Sequence, residues 1–305
     1  MVDGYEDGNL MLALDIQNAS KSLGGRTIFS NVNLQIPVGQ IVALVGPSGC
    51  GKSTFFRAIV GTHLLDDGVV IANEKEVTTP NCDVGIVYQH YSLYDFLPVE
   101  DNVAIGLKFS RTSIPFRIFR PMEYRRVYKQ FVAQGHELLD MVQLSDAKKK
   151  YPDELSGGMR QRAALAAALI TKPSVLLLDE PFGALDEIIR EDLQMMLLNL
   201  HRVNLANERF PSTIVIVTHQ LKEALFVADR IIGLSQHHPR AAELGATIVY
   251  DMPSPSWRPL SSSSECEGFF QQEDEIRRVV YEPGSDNGDG KYIQPYLTPT
   301  VTGVK

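Results

Sequence analysis

The stretch IVALVGPSGCGKSTFFRAIV, residues 41–60, decides the fold. Its first five residues are all apolar, as in a strand that is buried on both faces of a parallel sheet. A glycine-rich loop follows, and we expect a helix from Lys52 to about Val60. A buried strand, a glycine loop and a helix in this order predict a phosphate-binding site, because the loop and the first helical turn present backbone N–H groups to an anion.

The loop GPSGCGKST, residues 46–54, matches the pattern GxxxxGK[ST]. Lys52 would bring a positive charge to the β and γ phosphates of a nucleotide, and the Ser53 hydroxyl would coordinate Mg²⁺. A glycine-rich turn with a solvated lysine is the alternative, but it does not explain why Lys52 and Ser53 fall at the required offset. Cys50 is interpreted as a small residue at a variable position rather than as a redox-sensitive thiol. The predicted nucleotide-binding residues here are Gly46, Pro47, Ser48, Gly49, Cys50, Gly51, Lys52, Ser53 and Thr54.

Three further apolar runs of strand length follow, and helical stretches separate them. They are GIVYQ (85–89), SVLLLDE (174–180) and STIVIVTH (212–219). Together with residues 41–45 they predict an α/β core with a mostly parallel sheet. The N-terminal residues alternate apolar and polar side chains in short runs between glycine turns, which predicts an antiparallel β subdomain. Residues from about 92 to 165 carry helical periodicity and predict a helical subdomain inserted into the core.

The length of 305 residues fits one large domain with an appendage. We assign residues 10–250 to the large domain, in which GATIVYDMP adds a strand near the end. Residues 251–305 begin with a loop-like composition and are expected to form a tail or a small appendage.

Polar side chains follow the ends of the predicted parallel strands. Asp179 and Glu180 stand at the carboxyl end of a buried strand, where open parallel sheets place their ligand chemistry. We expect Asp179 to hold Mg²⁺ through water and Glu180 to polarise the water that attacks a γ phosphate. Gln89 and His219 end two other strands; alone, each is weak evidence for a site. The predicted catalytic residues are Glu180, His219 and Gln89, and the predicted Mg²⁺ ligands are Ser53, Gln89 and Asp179.

The overall charge bears on the partners and the compartment. A formal net charge of -8 and a pI near 5.4 argue against a broadly basic nucleic-acid surface. The three cysteines are widely spaced, and the opening MVDGYEDGNL is acidic where a secretory signal would be basic, so a reducing cytoplasm is expected. The longest apolar runs have the length of strands, and we expect membrane association only through a partner.

A second glycine-rich element, ELSGGMRQR, occupies residues 154–162 and precedes an alanine-rich stretch. Ser156 is predicted to cap a helix there by accepting from a free backbone N–H group. A tight turn and a cap explain the sequence on their own. The helix N-terminus behind Gly157 and Gly158 is also suited to an anion.

These elements, in this order, resemble the ATP-binding cassette (ABC) ATPases: the phosphate loop, the strand-end Gln, LSGGMRQR, VLLLDEP, GALD and the strand-end His. The resemblance covers roughly residues 12–250 and implies a P-loop NTPase core, ATP and Mg²⁺ as ligands, and ATP hydrolysis. It also implies that two cassettes pack head to tail as a homodimer or heterodimer. Ser156, Gly157 and Gly158 of one cassette would then close over the γ phosphate that the phosphate loop of the other holds.

The resemblance implies further partners. Gln89 would begin the Q-loop, whose apolar and aromatic residues border a groove for a coupling helix of a transmembrane permease. A periplasmic or extracellular binding protein would act indirectly, and the chain would lie at the cytoplasmic face of the membrane. Asp186 would lie at the dimer interface and His219 would contact the γ phosphate. Two segments, PFGALDE and THQLKEALFVADRIIGL, are most similar in sequence to the importer cassettes for nitrate, taurine and sulfonates.

The sequence departs from the family pattern at several positions. Leu23 stands where an aromatic residue often stacks on adenine, and we expect weak stacking or a contribution from a neighbour such as Phe29. Met159 and Gln220 replace residues that are common in importers next to the signature glycines and the switch His. The stretch from 108 to 126 is longer than expected and basic, with Arg111, Arg117, Arg120, Arg125 and Arg126. A basic run of this kind is usually a solvated face, and an anionic membrane or an acidic partner loop is the sharper alternative.

We therefore predict the ATP-hydrolysing subunit of an ABC transporter, with import of a small anion or other small solute. The alternative is a soluble ABC ATPase that acts on nucleic acid or ribosomes. A single phosphate loop, a single signature, no heptad run and an acidic net charge argue against it. A binding module that has lost hydrolysis is disfavoured by the presence of Lys52, Asp179, Glu180 and His219.

Overall fold

The computed structural model describes residues 5–6, 9–89, 93–183, 185–207, 213–235, 245–254 and 263–282. Their contacts divide the chain into two compact units. The first unit is Pro80–Ile214, and the second combines Asp3–Thr79 with Val215–Lys305.

The strands are β1 Tyr5–Glu6, β2 Asn9–Leu10, β3 Leu12–Leu23, β4 Arg26–Pro37, β5 Ile41–Val45, β6 Asp67–Ala72, β7 Lys75–Glu76, β8 Val84–Val87, β9 Val175–Asp179, β10 Thr213–Val217, β11 Arg230–Ser235 and β12 Thr247–Pro253. The helices are α1 Lys52–Val60, α2 Val99–Arg111, α3 Ile114–Phe119, α4 Pro121–Met141, α5 Gly157–Leu169, α6 Glu187–Asn207, α7 Leu221–Val227 and α8 Ser263–Ile276; a π-helical turn, Arg277–Tyr281, follows α8.

The second unit contains the predicted antiparallel subdomain. Its four strands have the order β4-β3-β6-β7, and every neighbouring pair is antiparallel. Ile16 is aligned with Leu34 on one side and with Val70 on the other. All three side chains are buried. The alternating pattern of the N-terminal sequence therefore gives a sheet with one apolar face.

The second unit also contains the strand that carries the phosphate loop. β5 is buried at all five residues and runs parallel to β11, with Val42 opposite Arg230 and Val45 opposite Gly233. β12 pairs antiparallel on the outer side of β11, and residues 215–217 of β10 lie on the other side of β5. α1 begins at Lys52 and ends at Val60, as predicted.

The C-terminal part of the second unit is ordered as a helix followed by a π-helical turn. Ile276 and Val280 are fully buried, and Val280 packs on Gly233 so closely that a Cβ at Gly233 would collide with it. The predicted domain boundary at residue 250 falls inside β12, and the boundary stays a prediction. The part of the predicted tail after residue 282 lies outside the described residues.

The first unit combines the remaining strands with the predicted helical insertion. β8 runs parallel to β9, with Ile86 opposite Leu177, and residues 213–214 of β10 lie on the other side of β9. α2 packs against α4 and α5. The buried residues Val103, Leu107 and Leu139 belong to this helical core. The predicted fold class, an α/β core with an antiparallel subdomain and an inserted helical subdomain, is confirmed.

Candidate functional site

The phosphate loop in the second unit is shaped by its glycines. A Cβ at Gly46 would collide with the carbonyl oxygen of Leu234, so only glycine fits there. Gly49 and Gly51 have φ angles of 79° and 105°, in the region that favours glycine. Lys52 is buried, and its ammonium donates to the carbonyl oxygens of Gly46 at 2.7 Å and Pro47 at 2.9 Å. The lysine is therefore held over the loop by neutral acceptors.

The N-terminus of α1 is suited to an anion. No side chain caps the helix, and its first turn contains no acidic residue. The free N–H groups and the positive end of the helix dipole face no negative charge of the helix itself. Ser53 is exposed and Thr54 is half-buried in this turn. The loop and the helix end fit the phosphates of ATP, and the Ser53 hydroxyl is an oxygen ligand of the kind that Mg²⁺ prefers.

Cys50 is fully buried within the loop. Burial raises the pKa of its thiol, and the nearby Lys52 ammonium acts in the opposite direction. The thiol is thus neutral at physiological pH, and a neutral buried thiol is a poor nucleophile. This agrees with the interpretation of Cys50 as a small residue rather than a redox-sensitive thiol.

His219 lies in the second unit, directly after β10, and its side chain is exposed. The preceding residue fixes the turn: the Thr218 hydroxyl donates to Glu223 Oε2 at 3.0 Å and accepts from the Gln220 N–H at 3.1 Å. These bonds set the direction of the chain at the point where His219 leaves the strand.

A pocket of about 490 Å³ opens beside His219, and sequence reasoning missed its other wall. That wall is formed by Glu273, Arg277 and Tyr281 from the C-terminal helix and turn. Burial raises the pKa of Tyr281 to about 12, and the Gly46 backbone beside the phenol acts in the opposite direction. The C-terminal turn therefore reaches the phosphate loop within the second unit.

In the first unit the structure brings two predicted site residues together. The Gln89 side-chain amide donates to Glu180 Oε2 at 2.8 Å, so its carbonyl oxygen is the atom left to bind a metal or water. Glu180 has a φ of 47°, in the left-handed region that is uncommon for a residue with a side chain. Such backbone strain costs roughly 1–3 kcal/mol and is typical of functional sites. Asp179, half-buried, precedes it at the end of β9.

The signature residues lie on a different element of the first unit. Ser156 is the N-cap of α5, and its hydroxyl accepts from the Met159 N–H at 3.3 Å, as predicted. Ser156 is exposed, Gly157 is half-buried and Gly158 is buried. A Cβ at Gly158 would lie 2.5 Å from Ile189 of α6, so glycine is required by packing as well as by any ligand.

The segment after Gln89 presents aromatic side chains on the first unit. Tyr94 and Phe96 are both exposed, Phe96 to 75%. The buried Asn102 fixes the backbone beneath them, since it accepts from the Tyr94 N–H at 2.6 Å and donates to the carbonyl of Leu97 at 2.8 Å. The exposed rings are therefore carried on a rigid turn. Residues 90–92 of the predicted Q-loop lie outside the described residues.

The expected contribution of Phe29 to adenine stacking is not supported. Phe29 is fully buried and packs edge-on against Phe55, with ring centroids 5.3 Å apart. Its face has no room for a base. Leu23, at the end of β3, is exposed, and its place at the adenine remains a prediction.

Comparison with known families decides which proteins this chain is related to. A family model described as ABC transporter matches residues 29–183, more than half of the chain. The chain belongs to the ABC transporter family. The matched residues include the loop at residues 46–54 and also Gln89, Ser156 and Glu180.

The curated relatives of this ABC protein include sulfate/thiosulfate import ATP-binding proteins. The one from Pseudomonas syringae pv. tomato is 43% identical over 229 residues, 74% of this chain and 65% of the relative. The one from Pectobacterium atrosepticum is 42% identical over 228 residues, 74% of this chain and 64% of the relative. This chain thus spans slightly less than two thirds of the length of these relatives. They are sulfate/thiosulfate proteins, whereas the sequence motifs favoured the nitrate, taurine and sulfonate group.

A solved structure has the same fold as this ABC protein. The ATP-binding cassette MJ0796, in a dimeric post-hydrolysis state with ADP and phosphate, matches with a TM-score of 0.62 and 26% identity. The match covers 80% of this chain and 100% of that one.

Among the residues that the structure describes, none of the helices has both the length and the apolar character needed to cross a bilayer.

Proposed function

We propose that this chain is the ATP-hydrolysing subunit of an ABC importer for a small anion. The observation that carries the proposal is the hydrogen bond from Gln89 to Glu180, because it orients the carboxylate of the predicted base, which follows the end of β9. The names of the curated relatives, which are import ATP-binding proteins, support the same function.

The phosphate loop binds the nucleotide. Lys52 exchanges the carbonyl oxygens of Gly46 and Pro47 for phosphate oxygens, because a hydrogen bond to a charged acceptor is stronger than one to a neutral carbonyl. The uncapped N–H groups of α1 add to the phosphate contacts. Ser53, Asp179 and Gln89 supply the hydroxyl, carboxylate and amide oxygens that would hold Mg²⁺. When bound, Mg²⁺ neutralises charge that develops on the phosphates.

Glu180 orients and polarises the attacking water, and Gln89 fixes the carboxylate while it does so. His219, exposed after β10, contacts the γ phosphate. The chemistry is mainly positioning and charge stabilisation, so small displacements of these side chains reduce the rate strongly.

A second chain completes the site. The Ser156 hydroxyl and the N-terminus of α5 are exposed at the start of the signature helix, and a γ phosphate held by another cassette is the anion that fits them. The chain therefore works as a homodimer or a heterodimer that ATP closes and hydrolysis reopens.

The remaining partners are membrane components. Tyr94 and Phe96 are exposed and available to contact a permease helix, and this contact would hold the ATPase peripherally at the cytoplasmic face of the membrane. A binding protein delivers the solute, and the solute is a small anion such as sulfate or thiosulfate, with nitrate, taurine and sulfonates as the competing candidates. A nucleic-acid or ribosomal role is not favoured, because the relatives are importer proteins and the net charge is acidic.

Reconstitution tests the proposal. The chain is co-expressed with its permease subunits, purified as a complex and placed in vesicles with the cognate binding protein. ATP hydrolysis is then measured with sulfate, thiosulfate, nitrate or taurine as the solute. We expect one of these anions to stimulate hydrolysis in the presence of the binding protein. Failure to co-purify with any permease would contradict the transport function.

A further inference from the structure

A strongly basic segment lies between the first two long helices of the helical subdomain. We call residues 108–126 the tip segment; it comprises the last four residues of α2, all of α3, the first six residues of α4 and the three residues between these helices. It contains five arginines and one lysine but a single carboxylate, Glu123, in a chain whose net charge is -8. The local charge is thus opposite to that of the whole chain.

The tip segment also exposes large apolar side chains. α3 buries none of its six residues. Phe119 is 81% exposed and Met122 86%, and Ile114 and Ile118 are exposed beside them. Single exposed apolar side chains are ordinary on protein surfaces, but four within nine residues form a patch of the kind that marks an interaction surface.

The arginines of the tip segment have different roles. Arg117 is tied to the end of α2: its guanidinium donates to the carbonyl oxygens of Lys108 at 3.0 Å and Thr112 at 2.6 Å, and it lies over the ring of Phe109. Arg117 thus fixes α3 to α2, and its inclusion in a uniformly solvated basic face is wrong. Arg120 pairs with Glu123 at 3.2 Å.

Three cations of the tip segment are directed to the outside. Arg111, Arg125 and Arg126 are exposed, and within the described part of the chain none of them forms an ion pair. Exposed guanidinium groups interleaved with exposed aliphatic and aromatic side chains are the composition of elements that lie on an anionic bilayer.

We propose that the tip segment docks on an anionic lipid surface. Phe119, Met122 and the two isoleucines enter the headgroup region, and Arg111, Arg125 and Arg126 bind lipid phosphates. A bilayer suits this segment better than a protein partner, because the four exposed apolar side chains are spread over α3 and the start of α4, and a fluid surface accommodates them without a complementary shape. Charge complementarity supports the lipid, since each cation near an anionic leaflet strengthens binding about fivefold.

Vesicle flotation of the purified full-length protein tests the proposal. Vesicles of phosphatidylcholine alone are compared with vesicles that also contain phosphatidylglycerol, without ATP or permease, so that the result is independent of the proposed ATPase function. We expect binding only to the vesicles with phosphatidylglycerol, and weaker binding as salt is added.

Two variants and a control locate the surface. Changing Arg111, Arg125 and Arg126 together to alanine is expected to weaken binding roughly 100-fold. Changing Ile118, Phe119 and Met122 together to serine is expected to weaken binding as well. The matched control changes three exposed cations elsewhere, Arg57, Lys149 and Lys150, to alanine and is expected to bind like the parent.

The fold of each variant is checked by its circular dichroism spectrum and by ATP binding, and an Arg→Gln version replaces any alanine variant that does not fold. The proposal is overturned if the parent does not float with either kind of vesicle, which is also the result expected if an acidic protein is the true occupant. It is equally overturned if the arginine variant floats as well as the control.

Discussion

Gln89 and Glu180 stand 91 residues apart in the sequence and are joined by a hydrogen bond of 2.8 Å from the Gln89 amide to Glu180 Oε2. Glu180 is held with a left-handed backbone at the end of β9. The left-handed backbone and the fixed donor together restrict the orientation of the Glu180 carboxylate, as the proposed base needs if it is to meet a positioned water.

Loss of this carboxylate is expected to stop turnover. Glu180→Gln keeps the size and removes the charge, so we predict a decrease in kcat of at least about 100-fold with ATP binding retained. Gln89→Ala leaves the carboxylate but frees its orientation, and we predict a smaller decrease, about 10-fold, that falls on kcat more than on KM. Steady-state ATPase assays and nucleotide-binding titrations measure both effects.

The matched control for these variants is Glu187→Gln, an exposed carboxylate at the start of α6. It should retain the parent rate. Parent-like hydrolysis by Glu180→Gln would remove the assigned role of that residue.

The signature serine allows stability to be separated from function. Ser156→Ala removes the helix cap and is expected to cost about 1 kcal/mol of unfolding free energy. Ser156→Asp keeps a cap of similar quality but places a negative charge where the partner's γ phosphate would bind. We predict that Ser156→Asp is as stable as the parent and fails to dimerise with ATP. Urea unfolding and size-exclusion chromatography with ATP measure the two properties, and ATP-driven dimers of Ser156→Asp would disprove the role in trans.

The exposed Phe96 is expected to couple hydrolysis to the permease. Its ring lies on the turn that Asn102 fixes and belongs to neither the phosphate loop nor the strand ends. Phe96→Ala should retain the basal ATPase rate and lose most of the stimulation by permease and solute. Leu64→Ala, another exposed apolar residue, serves as the control. Equal stimulation in both variants would show that Phe96 has no part in coupling.

The stability at alkaline pH reports on the C-terminal turn. Burial raises the pKa of Tyr281 from 10.0 to about 12, so the folded state retains this proton at a pH where the unfolded chain loses it. The stabilisation from Tyr281 is fully present below pH 10 and is lost as the pH rises toward 12. The free energy of unfolding should therefore fall over this interval, and it should fall less steeply in Tyr281→Phe.

The half-buried Tyr128 and the buried Tyr250 also have raised pKa values, and they lower the stability of the parent over the same pH interval. The test therefore compares the slope of Tyr281→Phe with the slope of the parent. Tyr94→Phe, at an exposed ring, is the control. Identical slopes in the parent and Tyr281→Phe would mean that the Tyr281 phenol is not buried in solution.

The sequence allowed the core of the fold to be predicted where one local pattern determined the structure. The uniformly apolar residues 41–45 and the offset of Lys52 from the glycines predicted both β5 and the start of α1. The cap at Ser156 was likewise local, since it needs only a hydroxyl three residues before a free N–H group.

Features that depend on distant contacts were not predictable in this way. Phe29 has the same local pattern whether its ring is exposed or packed on Phe55. Arg117 reads as one more surface cation until the carbonyl groups at the end of α2 come close to it. The helix that ends with Ile276 carries so many charged residues that its few apolar ones, at helical spacing, gave too weak a signal.

The central claim is that ATP is hydrolysed at a site that two chains complete together, and a mixing experiment tests it most directly. Ser156→Asp retains Glu180 but lacks the signature serine, and Glu180→Gln retains Ser156 but lacks the proposed base. Each variant is therefore expected to be inactive alone, whereas a mixed dimer contains one intact composite site. We predict that mixing the two variants raises ATP hydrolysis well above the rate of either variant alone, since only a mixed dimer contains a working site. Hydrolysis that stays at the level of the separate variants, although mixed dimers form, would contradict the claim.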